Sequence, residues 1–372
     1  MASVEKKINI PISKPFLTDS CRRNFVNAFD SSWISSLGEY ISQFEILFSK
    51  YIGTEFCVTT SNGTTALELA IAVLDLEERS EIIIPDLTFA AVSNAVIAKG
   101  HVPVCVDVSP IDWNINFEEI KNSLTKNTKA IIVVHSYGTP AIDLEKISKF
   151  CQENKLWLIE DCAEAHGAEF KSKKVGSIGD LATFSFYGNK IITSGEGGAV
   201  LTSNESFFEK MLKLRDHGMS KERRYYHEVS GFNYRITNPQ ASLLVSQLEN
   251  ISRFLELRDQ QESTYDKRLL KHGFTKSKSI KEATKVNWIY TVQCPKNIES
   301  IKLAKYLKSR GIDTRPFFNP ISSFPYIESK IRNKVSLILS KNGLSLPTYI
   351  GLDDGTINMI CDEIESYIFN HI

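Results

Sequence analysis

Along the first 200 residues, short apolar runs alternate with longer stretches whose apolar residues recur every three or four positions. That alternation predicts strands and helices wound into an α/β sheet. The predicted strands are residues 56–59, 81–84, 102–106, 130–134, 156–160, 181–186 and 198–202. Several are rich in Val and Ile without polar alternation, as strands covered on both faces are. Helical spacing falls between them at residues 64–74, 89–98, 117–124 and 143–154. Past Pro239 the pattern changes. Residues 240–270 read as one long helix, followed by a lone strand at 288–294, a helix near 301–310 and a proline-punctuated stretch at 316–325. The expected organisation is a large domain at 1–250 on a mostly parallel mixed sheet of about seven strands, and a small C-terminal α+β domain at 251–372. The N-terminal segment is free to pack on the small domain.

Composition narrows the class. Of 372 residues, 44 are Lys or Arg and 44 Asp or Glu, so net charge is zero with the seven histidines neutral. At 42% hydrophobic and 24% charged, the chain is neither disordered nor a fibrous rod. Balanced charge argues against nucleic acid as a partner, although a neutral total can hide a local basic pocket for a phosphorylated small molecule. Seven cysteines with no Cys-x-x-Cys pair read as reduced, mostly buried thiols. The start, MASVEKKINIPISKP, lacks the apolar core of a signal peptide, and no apolar run approaches the roughly 18 residues of a membrane span. The expected localisation is cytoplasmic, with no membrane partner.

Four local features carry chemistry. Ser61-Asn62-Gly63-Thr64-Thr65 lies between a strand and a helix, where small residues leave backbone N–H groups open at a positive helix end. Alone it reads first as a well-capped helix, and it lacks the P-loop lysine and the dinucleotide spacing. Asp161 ends a predicted strand ahead of Cys162-Ala163-Glu164-Ala165-His166, where open α/β sheets place ligands; a helix cap is the competing reading. The spacing of His135 and His166 matches no standard metal set, so each is read as packed or hydrogen-bonded and no metal is expected. Ser185 leads to Tyr187-Gly188-Asn189-Lys190 and the glycine-rich Ser194-Gly195-Glu196-Gly197-Gly198. A lysine at a strand exit among apolar residues and glycines is placed to lose its proton and form a Schiff base. The fourth feature, Gly231-Phe232-Asn233-Tyr234-Arg235-Ile236-Thr237-Asn238, is by itself a polar loop. Together the features offer an anion cradle, an acid for a pyridinium nitrogen and a lysine for an aldehyde. Phe89, in Pro85-Asp86-Leu87-Thr88-Phe89, supplies an aromatic cover. Those are the needs of pyridoxal phosphate.

At that point the chain resembles the DegT-type nucleotide-sugar aminotransferases of the aspartate aminotransferase superfamily. The resemblance runs from Trp33 to Phe318 and is carried by SNGTTAL, IEDCAEAHG, GDLATFSFYGNK and SGEGGAV in family order. It implies an aspartate-aminotransferase-like fold and pyridoxal 5'-phosphate as cofactor. Lys190 would bind the cofactor aldehyde and shuttle the proton, and Asp161 would pair with the ring nitrogen. Glu164 would lie near the ring hydroxyl, while Gly63, Thr64 and Ser185 would hold the phosphate. Asn233 would reach that phosphate from a neighbouring subunit, implying a homodimer with composite sites. Glutamate would donate the amino group to a nucleoside-diphosphate keto-sugar. RDHGMSKERRYYH, GFNYRITN, FYGNK and RPFFNP look most like the GDP-perosamine-forming branch, which serves surface polysaccharide; UDP- or dTDP-linked 3-keto or 4-keto sugars are the alternative. The histidine-bearing branch that deoxygenates sugars is disfavoured by Lys190. Trp33, His217, Arg315 and Phe317 are the sugar-facing candidates, and Arg223 and Arg224, with Lys221, those for the diphosphate.

Overall fold

The computed structural model describes residues 9–328 and 333–371. At its centre β1 (Phe56–Thr60), β2 (Glu81–Pro85), β3 (Val102–Val106), β4 (Thr128–Val134) and β5 (Trp157–Asp161) join two later strands in one sheet. Between them and those later strands comes a hairpin, β6 (Glu169–Phe170) with β7 (Lys173–Lys174). β8 (Leu181–Ser185) and β9 (Gly198–Thr202) complete the seven, in the order β1-β9-β8-β5-β4-β2-β3. All neighbours run parallel except β9, which is antiparallel to both β8 and β1. Each strand falls on one predicted from the pattern, with ends moved by no more than two residues.

The apolar runs are explained by cover on both faces. Ile82 and Ile84 of β2, with Ile132 and Ile159, pack toward the helices Gly63–Ala72 and Ala91–Ala98. Ile83, Ile131, Val133 and Leu158 point the other way, into a core shared with Phe44 and Phe48 of Glu39–Ile52 and Leu244 of Asn238–Glu249. A third core gathers Tyr265, Leu303, Leu346, Ile360 and Ile364 from the C-terminal part, together with Ile10.

Two expectations past Pro239 need correction. The long helix is two, Asn238–Glu249 and Ile251–Leu269, broken at Asn250 (φ −103, ψ 2). Both halves bury apolar faces, so the periodicity runs on through a residue that redirects the axis. The lone strand is not alone either. After the two-residue β10 (Ala283–Thr284), which pairs with β6, the strand is β11 (Tyr290–Gln293). It belongs to a sheet with β12 (Arg315–Pro316) and β13 (Gly343–Leu346), in the order β11-β13-β12. GLSL is too short to stand out from the sequence. The helices Asp19–Asp30, Glu39–Ile52, Glu205–Arg215, Lys334–Asn342 and Asp354–His371 add to the predicted set. None of the described helices is long and apolar enough to cross a membrane, and all seven cysteines are buried and unpaired.

Candidate active site

The carboxyl ends of β4, β5 and β8 open with the start of helix Gly63–Ala72 onto one cavity of about 530 Å³. Gly63, Thr64, Phe89, Asp161, Glu164, Ser185 and Lys190 all line it. Ligands gather at such strand ends because the parallel strands finish there and the following loops diverge.

The cradle comes from a helix cap. Asn62 accepts the Thr65 N–H at 2.9 Å, and Thr65 Oγ1 accepts the Asn62 N–H at 3.2 Å. The first N–H groups of a helix have no partner within it, and those of Gly63 and Thr64 belong to residues on the cavity wall. The wall is tight. A Cβ at Gly63 would sit 2.7 Å from Ser185 Cβ, and one at Gly198 only 2.3 Å from the Asn62 carbonyl oxygen. Small residues thus bring the helix start against β8 and β9.

Two buried carboxyls stand at the end of β5 and just beyond it. Asp161 accepts the Ala163 N–H at 3.1 Å and the Thr183 hydroxyl at 3.4 Å. Burial pushes its carboxyl up, against the pull of that N–H and of the Lys190 charge. Glu164 accepts the N–H of Tyr137 at 2.7 Å. Tyr137 holds a left-handed backbone (φ 52), which turns that N–H toward the carboxylate. Burial moves Glu164 up to about 7, although Lys190 and the Tyr137 N–H oppose it. Burial lowers Lys190, while Glu164 and Asp161 act to keep it charged. An amine tuned downward inside an apolar wall is the kind that attacks carbonyls near neutral pH.

Both histidines act as structure. His135 Nδ1 accepts the Ala141 N–H at 3.2 Å, which leaves Nε2 to donate to Glu160 at 3.0 Å. Burial would push Glu160 up, but His135 and the amides of Gly176 and Gly179 outweigh it and hold the carboxyl low. His135, Glu160 and Cys162 stand close enough to suggest ligands, yet burial keeps the Cys162 thiol protonated and Glu160 is fully engaged. His166 is pushed down to about 3 by burial and packs against the rings of Phe184 and Phe186.

Other expected site residues lie elsewhere. None of Trp33, His217, Arg223, Arg224, Arg315, Phe317 and Asn233 lines the cavity. Phe317 is a core side chain packed on Trp113 and Tyr137. The adjacent Phe318 turns into the cavity instead, near Phe89 with ring centroids 5.8 Å apart. Sequence does not say which of two neighbouring aromatics faces a site. Trp288, assigned to a strand, also lines the wall. Trp33 is exposed, its carbonyl accepting from Asn238. His217 accepts a bond from His227 through its carbonyl. Arg315 pairs with Asp313 at 2.6 Å. Arg223 and Arg224 stand exposed over Tyr226 and Tyr225. Asn233 is exposed beside Asp216.

A helix-end anion cradle, a buried acid, an amine and an aromatic at one cavity make a donor set that fits pyridoxal phosphate. The residues 17–365 match the model of the DegT/DnrJ/EryC1/StrS aminotransferase family. The chain belongs to this family. It is therefore an aminotransferase that depends on pyridoxal phosphate, on an aspartate-aminotransferase-like fold. It is 35% identical over 359 residues to a GDP-perosamine synthase of Escherichia coli O157:H7, covering 96% of this chain and 98% of that protein. A GDP-perosamine synthase of Caulobacter vibrioides is 36% identical over 365 residues, with 96% and 98% covered. Among solved structures, Helicobacter pylori PseC, an aminotransferase of pseudoaminic acid biosynthesis, superposes with a TM-score of 0.91 at 25% identity, covering 96% of this chain and 98% of that one.

Proposed function

We propose that this aminotransferase converts GDP-4-keto-6-deoxy-mannose to GDP-perosamine with glutamate as amino donor, for a surface polysaccharide such as an O-antigen or lipopolysaccharide. The observation that carries the reading is near-full-length identity of 35–36% to GDP-perosamine synthases, with Lys190 on the cavity wall. Pyridoxal phosphate, when bound, supplies the electron sink that lets an amino group pass between donor and acceptor. Lys190 would hold the aldehyde and move the proton at the reacting carbon. Asp161 would keep the ring nitrogen protonated, and Glu164 would meet the ring hydroxyl. Gly63, Thr64 and Ser185 would bind the phosphate, and Phe89 with Phe318 would close over the ring and shield it from water.

The working unit is a cytoplasmic homodimer. Phe25, Val26, Phe29, Trp33, Ile34 and Leu37 form an exposed apolar run that a second copy would cover. Asn233, exposed and outside this chain's cavity, would then serve the partner's phosphate. Trp33, His217, Arg315, Arg223 and Arg224 would meet the nucleotide sugar at the composite mouth. To test the substrate, the visible cofactor band of the purified enzyme is bleached with glutamate, then a panel of GDP-, UDP- and dTDP-linked keto-sugars is added. Recovery with GDP-4-keto-6-deoxy-mannose alone is expected. Recovery only with a UDP- or dTDP-linked sugar would overturn the reading, and asparagine at 233 should weaken cofactor retention when replaced by alanine.

A further inference from the structure

Trp288 stands just ahead of β11 and is 5% exposed, yet it lines the cavity beside Lys190. It is held on several sides. Its indole N–H donates to the carbonyl of Asn189 at 2.8 Å, the residue before Lys190. Its own carbonyl accepts from Arg258 Nη1 at 2.6 Å. The Tyr137 ring lies nearly parallel to it, with centroids 6.3 Å apart and planes at 22°. Lys190 Nζ sits over the indole, 4.1 Å from the ring centroid. An ammonium within roughly 6 Å of an indole face is attracted by the ring's negative face.

We infer that Trp288 is a further residue of the reaction: its indole face seats the Lys190 ammonium whenever that amine is not bonded to a carbonyl carbon. This rests on the proposed transamination, in which Lys190 must be released and must carry a proton once in each half-reaction. The indole N–H bond fixes the ring against the peptide that leads into Lys190, and it is the ring face, not its edge, that meets the amine. The ring also offers something a carboxylate does not. It steadies the charged amine without accepting its proton, so Lys190 can hand that proton on.

The other groups facing Lys190 bear on the same equilibrium. Asp161 and Glu164 favour the ammonium, whereas burial opposes it. Tyr187 and Glu196 line the same cavity. Beneath the lysine, Arg258 and Lys14 lie with it around a small void, and His166 stays neutral beside Phe184. These groups stay in place when the ring is changed, so a shift on altering Trp288 reads the ring.

The test uses cofactor-free protein and follows the rate at which the visible band grows on adding pyridoxal phosphate, as a function of pH. That rate needs the free base, so its inflection reports the protonation of Lys190. Trp288→Leu should move the inflection down by about one pH unit, and Trp288→Phe by less. Protein carrying 5-fluorotryptophan keeps the shape of the ring but weakens its face, and should shift in the same direction. Of the four tryptophans only Trp288 lines this cavity. An unchanged inflection in both the fluorinated protein and Trp288→Leu would overturn the inference. If Trp288→Leu does not fold, the fluorinated protein decides alone. A wild-type chain that gains no band would instead sink the proposed transamination, a distinguishable failure.

Discussion

Replacing Glu160 by glutamine should destabilise the protein heavily while altering one atom. Glu160 Oε1 accepts the N–H groups of Ile178 (2.8 Å) and Gly179 (2.7 Å). Oε2 accepts those of Gly176 (2.9 Å) and His135 Nε2 (3.0 Å). A glutamine has one acceptor oxygen, and its NH2 group must face two of these four donors. Each buried donor left without a partner costs about 1–3 kcal/mol, so Glu160→Gln should lose about 2–6 kcal/mol. That is a large part of a typical margin of about 5–15 kcal/mol. The loss also bears on the site. The amides of residues 176–179 lead into β8 and Ser185, and His135 donates its backbone N–H to the Asp161 carbonyl at 3.1 Å. Urea denaturation of the cofactor-free protein reads the change as a lower midpoint at unchanged slope. A pH series checks the sign. The folded Glu160 is held below its ordinary value, so its contribution is present above the unfolded carboxyl pKa and lost as pH falls through the lower folded value. The wild type and Glu160→Gln should therefore converge in acid. A variant within about 0.5 kcal/mol of wild type at neutral pH would refute the hydrogen-bond count.

Three further outcomes follow from the site. Gly63→Ala places a methyl 2.7 Å from Ser185 Cβ, so pyridoxal phosphate should bind at least about tenfold more weakly by absorbance titration, a cost of about 1.4 kcal/mol. Glu164 binds its proton more tightly folded, at about 7, than unfolded, so folded protein loses stability as pH rises from about 4.5 to 7 and regains none above. Glu164→Gln should remove that fall, worth on the order of 3 kcal/mol, and flatten the melting temperature of cofactor-free protein between pH 5 and 8. Asp161→Asn should still retain the cofactor but slow the glutamate half-reaction by at least about a hundredfold in single-turnover absorbance measurements, because the ring nitrogen loses its anionic partner.

What the sequence made legible depended on how local each signal was. β1 to β5, β8 and β9 were readable because burial on both faces concentrates Val and Ile into short runs with glycine or polar ends. That Asp161 and Lys190 would sit on the cavity wall was readable because strand ends fix where the short connections that follow them go. Trp288 and Phe318 were not. Their places on the cavity wall depend on the C-terminal sheet folding back across the strand ends, a contact made by residues about a hundred apart, as between Trp288 and Asn189. β13 was missed for a related reason: GLSL becomes a strand through its pairing with β11 and β12 rather than by propensity. The break at Asn250 escaped because apolar spacing records which face is buried and not whether the axis stays straight.

The neutral total charge takes its meaning from how the anion sites are built. As proposed, a phosphate cradle at Gly63, Thr64 and Ser185 would need no cationic side chain, since a helix end and a hydroxyl supply donors there. The diphosphate of the proposed substrate would add charge at the mouth, where solvent and countercharge matter more. Among the cations nominated from the sequence, Lys221 is paired with Glu209 and Arg315 with Asp313. Arg223 and Arg224 lie over tyrosine rings, which leave guanidinium edges available for phosphate oxygens. Cations held on ring faces keep their charge uncancelled. The 44 basic and 44 acidic residues thus balance globally, and under the proposed function the two arginines on one exposed loop would meet the anion that the substrate brings.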